Sequence, residues 1–252
     1  MISVTILTHN NEATIAETLD SLQGLVQDFV IVDDGSSDTT LDIVRKKRAD
    51  ARIFHRALQE DFASQRNFAL DHCLGEWVVI IDSDEILTPE LAASIRSAVD
   101  KNEGEAYGCT RYNENFAGYT AIALKRPILM RRHLRFQYSL HEQLSVPLRS
   151  LPGNLVHRCW FGTEDFINDL NAYSGYKACA WVQQGRRYPL AILVCRQVCT
   201  ALFYFIQHYI GERRYRQGWK GLLYCLAWSS EELFAGMKYI ELMSDASNKR
   251  PK

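Results

Sequence analysis

The sequence predicts an α/β protein: a mostly parallel sheet with helices on both faces, extended at its C-terminus by a helical region. Three observations predict it. Short apolar runs alternate with helix-like segments over residues 1–101, the pattern of βαβ units. Several of those runs are apolar at nearly every position, as strands buried on both faces are. From Glu164 onward the chain reads helical.

Each element has its own signal. Ser3-Val4-Thr5-Ile6-Leu7-Thr8 is short and β-rich, hence a strand. Asn10 or Asn11 is expected to cap a helix from about Glu12 to Leu22, ended by Gly24. Phe29-Val30-Ile31-Val32 is a second strand, stopped by Asp33-Asp34-Gly35-Ser36. Asp38 then caps a helix over Thr40–Lys47, and Arg52–His55 reads as a third strand. A helix is expected around Ala63–Cys73, followed by the apolar strand Trp77–Ile81. Pro89 opens a helix to about Lys101, as proline in a first helical turn does. Between Ala106 and Pro147 shorter runs (Tyr107–Tyr112, Tyr119–Leu124, Ile128–Arg131, Leu144–Val146) suggest hairpins or mixed strands. The expected division is residues 1–160 for the α/β domain and 161–252 for the helical region.

Composition narrows the function. The 252 residues carry a formal net charge of −1, unevenly spread. Residues 1–110 hold 20 Asp and Glu against 9 Lys and Arg, and residues 111–252 hold 10 against 20. The first part suits a cation and the second an anion. Basic residues interleaved with long apolar runs make nucleic acid a poor partner. The seven cysteines include no C-x-x-C pair, and with no secretory leader this reads as a reduced, cytoplasmic chain. His157 and Cys159 lack a second pair at ligand spacing, so a zinc site is not expected.

In open α/β sheets ligands bind beyond the carboxyl ends of the strands. Thr8-His9-Asn10, Asp33-Asp34-Gly35-Ser36 and Asp82-Ser83-Asp84-Glu85 are all predicted there, as one site. In extended geometry residues i and i+2 share a side, so Asp82 and Asp84 are expected to converge with Ser83 facing away. Paired carboxylates at a strand end suit Mg²⁺ or Mn²⁺, which take oxygen ligands and keep positions open for phosphates. The Asp33–Asp38 run reads in two ways: as a turn with an N-cap, or as a contact to a base or ribose.

The segments VTILTHNNEATIAETLDSL, FVIVDDGSSDTT, ASQRNFAL and EWVVIIDSDE resemble, in order and spacing, the nucleotide-binding half of family 2 glycosyltransferases, which have the GT-A fold. LHEQL, LVHRCW and the Tyr-rich helical tail resemble, more loosely, the small lipopolysaccharide-core glucosyltransferases of the WaaE/KdtX type. The resemblance implies a metal-dependent, inverting hexosyltransferase taking a UDP-sugar. It implies that Thr8, Asn10 and Glu12 line the nucleotide pocket, that Asp33 or Asp34 contacts uracil or ribose, and that Arg66 and Asn67 lie near the donor. Asp82 and Asp84 would hold the diphosphate through the metal, with Ser83 between them. The family's usual Glu-Asp base pair is absent from its expected region, and His141-Glu142 stands there instead, making Glu142 the candidate base. His141, Arg131, Arg132 and Arg135 are candidates for diphosphate or acceptor contacts, or else form a solvated basic face.

The acceptor implied is a glycolipid, the lipopolysaccharide inner core, with a polyprenyl phosphate, another polysaccharide or a protein side chain as alternatives. A reading of another class is a non-catalytic nucleotide- or glycan-binding module. A dinucleotide-dependent oxidoreductase is excluded by the lack of G-x-G-x-x-G after the first strand. Pro189–Ile210 is strongly apolar, but Arg196 near its middle argues against a membrane span. Apolar helices with basic flanks suit peripheral contact with an anionic membrane, at the cytoplasmic face of the inner membrane. A helical core or homodimer interface, and a true span, are the other readings.

Overall fold

The computed structural model describes residues 1–58, 61–114, 120–137, 143–159 and 162–248. They fall into two compact units, the first ending at Cys159 and the second beginning at Gly162.

The first unit is built on an eight-stranded mixed sheet. In chain order its strands are β1 (Ile2–Thr8), β2 (Asp28–Asp33), β3 (Arg52–His55), β4 (Trp77–Asp82), β5 (Glu85–Leu87), β6 (Ala106–Glu114) and β7 (Thr120–Arg131). The short strands β8 (Phe136–Gln137) and β9 (Gln143–Leu144) pair with each other, and β10 (Arg149–Arg158) returns to the main sheet. The order across that sheet is β3-β2-β1-β4-β7-β6-β10-β5. β3, β2, β1 and β4 run parallel, and β7 pairs antiparallel with β4.

Helices α1 (Ile15–Ser21), α2 (Thr40–Lys47), α3 (Phe62–Asp71) and α4 (Pro89–Lys101) cover the sheet. Strand alternation divides the core between them. Val79 and Ile81 pack with Ile15, Leu19, Val44, Leu91 and Ile95 of α1, α2 and α4. Val78 and Ile80 pack on the other face with Ala69 and Leu70 of α3. Thr88 and Pro89 start α4 as the sequence indicates, the Thr88 hydroxyl accepting from the Leu91 amide at 3.4 Å.

Two strands of the main sheet were not legible in the sequence. β5 has three residues, too few for a periodic signal. β10 contains Leu151-Pro152-Gly153, which reads as a breaker. The structure accommodates it as an irregularity, with the pairing to β6 shifting register between Ser150 and Asn154. Gly153 takes φ +90°, and a Cβ there would lie 2.3 Å from the Leu91 backbone nitrogen, so the close passage of β10 over the start of α4 requires glycine. α1 starts at Ile15 rather than Glu12, and neither Asn10 nor Asn11 caps it.

Asp28 anchors the opposite end of the sheet from the site. Its carboxylate, 6% exposed, accepts from Ser3 Oγ at 2.5 Å, the Leu74 amide at 2.9 Å and Arg52 Nη2 at 2.6 Å. Burial works against the charge, but these three donors outweigh it and hold the carboxyl below its usual range. Asp28→Asn is therefore expected to cost about 2–3 kcal/mol at pH 7. Because the folded-state value is the lower one, that stabilisation is complete above the unfolded value near 4 and is lost as pH falls through the folded value. Urea midpoints of wild type and variant should differ at pH 7 and converge toward pH 3 and below. A gap that widens in acid would refute this role.

The second unit contains α5 (Thr163–Gln183), α6 (Leu190–Ile206) and α7 (Trp219–Asn248), with a π turn (Gln207–Gly211) and a 3₁₀ turn (Arg214–Gln217) between the last two. α5 packs on α7 through Phe166, whose ring stacks on Tyr224 at 5.3 Å, and through Lys177, which pairs with Glu231 and Glu232. α6 packs on α7 through Leu193, Ala235 and Tyr239, and Gly236 lets Gln197 approach. Leu190–Gly211 is long and apolar enough to cross a membrane by length and composition, and 17% of its most apolar window is buried.

Candidate active site

Sheet register brings the three polar clusters together. Thr8 pairs with Asp33 across β1 and β2, and Leu7 pairs with Asp82 across β1 and β4. All three clusters therefore lie at one edge, beyond the carboxyl ends of parallel strands, as expected.

The acidic motif is shaped differently from the sequence expectation. β4 stops at Asp82, Ser83 and Asp84 form a turn, and β5 starts at Glu85. Asp82 and Asp84 are thus carried by a turn, not by strand alternation, and their carboxylates take separate partners. Every part of that turn is held. The Asp82 amide donates to Glu85 Oε2 at 2.9 Å. The Ser83 carbonyl accepts from Thr18 Oγ1 at 3.0 Å, and Ser83 Oγ donates to Asn11 Oδ1 at 2.6 Å. The Asp84 carbonyl accepts from the Arg158 amide at 2.8 Å.

The charges are arranged in layers. Asp82 Oδ1 receives Arg66 Nη2 at 2.9 Å, and Asp82 Oδ2 lies 2.7 Å from Arg126 Nη2. Glu85 is fully buried and pairs with Arg126 and, at 3.5 Å, with Arg111. Burial opposes the charge on Asp82, but Arg126 and Arg66 outweigh it and hold that carboxyl far below the ordinary range. Burial pushes Glu85 upward against the pull of Arg126, and Asp82 and Asp84 add to the rise. Arg126, shared by two carboxylates, is held firmly in its charged form.

Asp84 differs from its neighbours. Its Oδ2 lies 3.2 Å from His157 Nε2, while its buried Oδ1 has no hydrogen-bond partner among the described residues. His157 Nδ1 lies 3.0 Å from Asn113 Oδ1. Burial opposes a charge on His157, but hydrogen bonding to Asp84 and Cys159 and the carboxylates of Asp84 and Glu85 push it up to about 10. A desolvated carboxylate oxygen without a donor is costly unless a cation faces it. Asp84 and His157 thus fit a divalent ion, which would take the place of the imidazolium proton. No group of three or more His, Cys, Asp or Glu side chains that could hold an ion forms among the described residues, so these two side chains would not by themselves complete its coordination. Both oxygens of Asp82 are engaged by arginines, so the available oxygen belongs to Asp84.

The loops after β1 and β2 are zipped together. Asn10, at φ +52°, accepts from the Ser37 amide at 2.8 Å, and its own amide donates to Ser36 Oγ. Glu12 Oε2 accepts from the amide and hydroxyl of Thr39. Thr8 Oγ1 donates to Asn11 Oδ1 at 3.2 Å. Asp33 is buried, and its carboxylate closes the turn by accepting from the Gly35 and Ser36 amides, with His55 at 3.1 Å. Asp34 is half-buried and accepts from the Leu58 amide at 2.8 Å. Asp38 accepts from the Thr40 and Glu12 amides. Asn67 clamps both the amide and the carbonyl of Phe136.

Arg131 and Arg132 lie elsewhere. Arg131 pairs with Glu76 and sits 3.9 Å from the Trp77 ring, and Arg132 donates to the Cys73 carbonyl. Trp77 is five residues before Asp82 on β4, about 17 Å along a strand. Arg135 pairs with Asp71. His141 and Glu142 lie outside the described residues.

The sequence had pointed to Arg66 but not to Arg126, Arg111, Asn11 or the place of His157. Antiparallel pairing of Trp77 with Arg131 runs to Val79 with Leu129, and Arg126 meets Asp82 beyond that paired stretch, a relation that needs the β4–β7 register. His157 is opposite Glu85 on β5, and that pairing needs both strands that were missed.

A model of the family described as Glycosyl transferase family 2 matches residues 3–161. The chain belongs to that family. The mixed sheet with helices on both faces is the GT-A fold that the resemblance implies. The glycosyltransferase is 28% identical over 237 residues to the lipopolysaccharide core biosynthesis glycosyltransferase LpsC of Rhizobium meliloti (strain 1021), covering 88% of this chain and 85% of LpsC. It is 29% identical over 151 residues to a TPR repeat-containing protein of Synechococcus elongatus, covering 60% of this chain and 37% of that protein. The transferase thus spans little more than a third of that relative's length. The crystal structure of S. aureus TarS 1-349 in complex with UDP is 17% identical with a TM-score of 0.44, covering 97% of this chain and 91% of that one, a loose likeness.

Proposed function

We propose that this transferase moves a hexose, glucose in the first instance, from a UDP-sugar to a glycolipid acceptor of the lipopolysaccharide inner core, with inversion. The observation that carries the donor half is Asp84: a buried carboxylate oxygen without a donor, beside His157, at the carboxyl edge of β4. Bound at Asp84 and His157, Mg²⁺ or Mn²⁺ supplies positive charge to the departing diphosphate. Arg126 and Arg66 fix Asp82, and Asn11 and Thr18 fix Ser83, so the turn presents Asp84 without reorganising. Thr8, Asn10, Glu12 and Asp34, at and beyond the ends of β1 and β2, are assigned to the nucleoside. Arg66 contributes through its hold on Asp82, and Asn67 by holding the chain at Phe136. Glu142, assigned from the sequence, takes the proton of the acceptor hydroxyl as the sugar passes through an oxocarbenium-like state.

The acceptor half is supported by the relation to LpsC, whose name places it in lipopolysaccharide core biosynthesis and whose alignment spans both units. The test is release of nucleoside diphosphate from a panel of nucleotide sugars, with core glycolipid as acceptor and Mg²⁺, Mn²⁺ or EDTA present. The expected result is release from UDP-glucose, dependent on metal and accelerated by the glycolipid. Release that the glycolipid does not accelerate, while another acceptor does, would overturn the acceptor assignment and leave the donor assignment standing. No release from any UDP-sugar would overturn both.

A further inference from the structure

We infer that helix α6 is a docking surface that lies flat in the interface of an anionic lipid membrane. Ile192, Leu202, Phe203, Ile206 and Ile210 share one side of Leu190–Gly211 at helical spacing, and each is more than half exposed. A contiguous strip of this kind on a soluble surface marks an interaction site. Arg196, the one formal charge within α6, does not interrupt it. Its Nη1 donates to the Tyr188 hydroxyl at 2.7 Å, and its guanidinium lies 5.1 Å from the Tyr188 ring and 5.9 Å from that of Trp181.

The charges at both ends of the strip select the partner. Residues 184–230 contain one acid, Glu212, which is engaged by Arg214 at 2.8 Å and His208 at 2.7 Å. Arg187 before the helix and Arg213, Arg216 and Lys220 after it are exposed and make no ion pair among the described residues. Trp219, 66% exposed, and Tyr215 stand among them, as aromatic side chains do at the headgroup level. An open groove of about 290 Å³ beside the start of α6, lined by Arg187, Tyr188, Leu190, Tyr239, Ile240 and Met243, offers apolar walls under a cation, suited to an acyl chain below its headgroup.

The same charges argue for a flat orientation. A spanning α6 would carry α7 with it, and Glu231, Glu232, Lys238 and Glu241 of α7 would enter hydrocarbon. Lying flat, the helix keeps the basic groups of both ends among anionic headgroups. They also disfavour a second copy as the occupant, since two α6 helices aligned in either direction bring basic ends together.

The test is sedimentation of the full chain with vesicles of phosphatidylcholine alone, or of phosphatidylcholine and phosphatidylglycerol in equal parts, without donor. Wild type should bind the anionic vesicles roughly tenfold more tightly, and Arg213→Gln/Arg216→Gln should remove about that advantage. Phe203→Asp/Ile206→Asp should lower binding to the anionic vesicles by roughly tenfold or more. Donor turnover should stay unchanged in both, which shows that they are folded and separates this surface from the active site. Three results would overturn the proposal: equal binding to both vesicle types, resistance of vesicle-bound protein to alkaline carbonate extraction (a span), or a lipid-free dimer that Phe203→Asp/Ile206→Asp dissociates (a second copy).

Discussion

Asp84→Ala is expected to lower donor turnover by roughly two to three orders of magnitude while leaving the fold intact. Its side chain ends a turn already held by Asn11, Thr18, Glu85 and Arg158. Removing it takes away Oδ1, which satisfies no donor among the described residues, and the partner of His157, so a modest loss of about 1–2 kcal/mol is expected. Interactions realised mainly as the diphosphate departs lower kcat and kcat/KM together. Steady-state kinetics and a thermal melt on the same preparation check both halves. Turnover near wild type would remove Asp84 from the donor site, and a large loss of thermal stability would make its role structural.

Arg126→Met is expected to be the most damaging single change to stability at the site, costing about 3–5 kcal/mol. Arg126 is the common partner of Asp82 and the fully buried Glu85. Without it Glu85 keeps Arg111 at 3.5 Å and Asp82 keeps Arg66, and the buried charge is undercompensated. Arg126→Lys should rescue little, because an ammonium cannot bridge two carboxylates as a planar guanidinium can. Arg126→Met/Glu85→Met should recover part of the stability and none of the turnover, since Asp82 is then held from one side only. Urea denaturation of the three variants measures this. A single variant as stable as wild type would show that the pair contributes no net stability.

Much of the first unit was legible because its signals are local. β1, β2 and β4 are continuous apolar runs ending in polar clusters, and Thr88-Pro89 marks the start of α4. Those three strand ends point to one edge of the sheet before any register is known. The rest depends on non-local pairing. Arg126 reaches Asp82 through the β4–β7 register, and His157 reaches Asp84 through β5 and β10. Nothing in the spacing of Asp82, Arg126 and His157 announces their meeting. Arg131 and Arg132 illustrate the converse, basic residues near the motif in sequence order that the antiparallel register carries to the other end of β4. The Asp33 cluster shows the first of its readings: Asp33 closes a turn, and Asp34 accepts from the Leu58 amide.

On the proposed function, the end of β4 binds a nucleoside diphosphate through a divalent ion held by Asp84. The most direct measurement is calorimetric titration of UDP into wild type with Mn²⁺ and again with EDTA. Binding should be at least about tenfold tighter with the ion, a coupling of the size expected between linked sites, and Asp84→Ala should abolish the difference. UDP that binds equally well in EDTA would contradict the account.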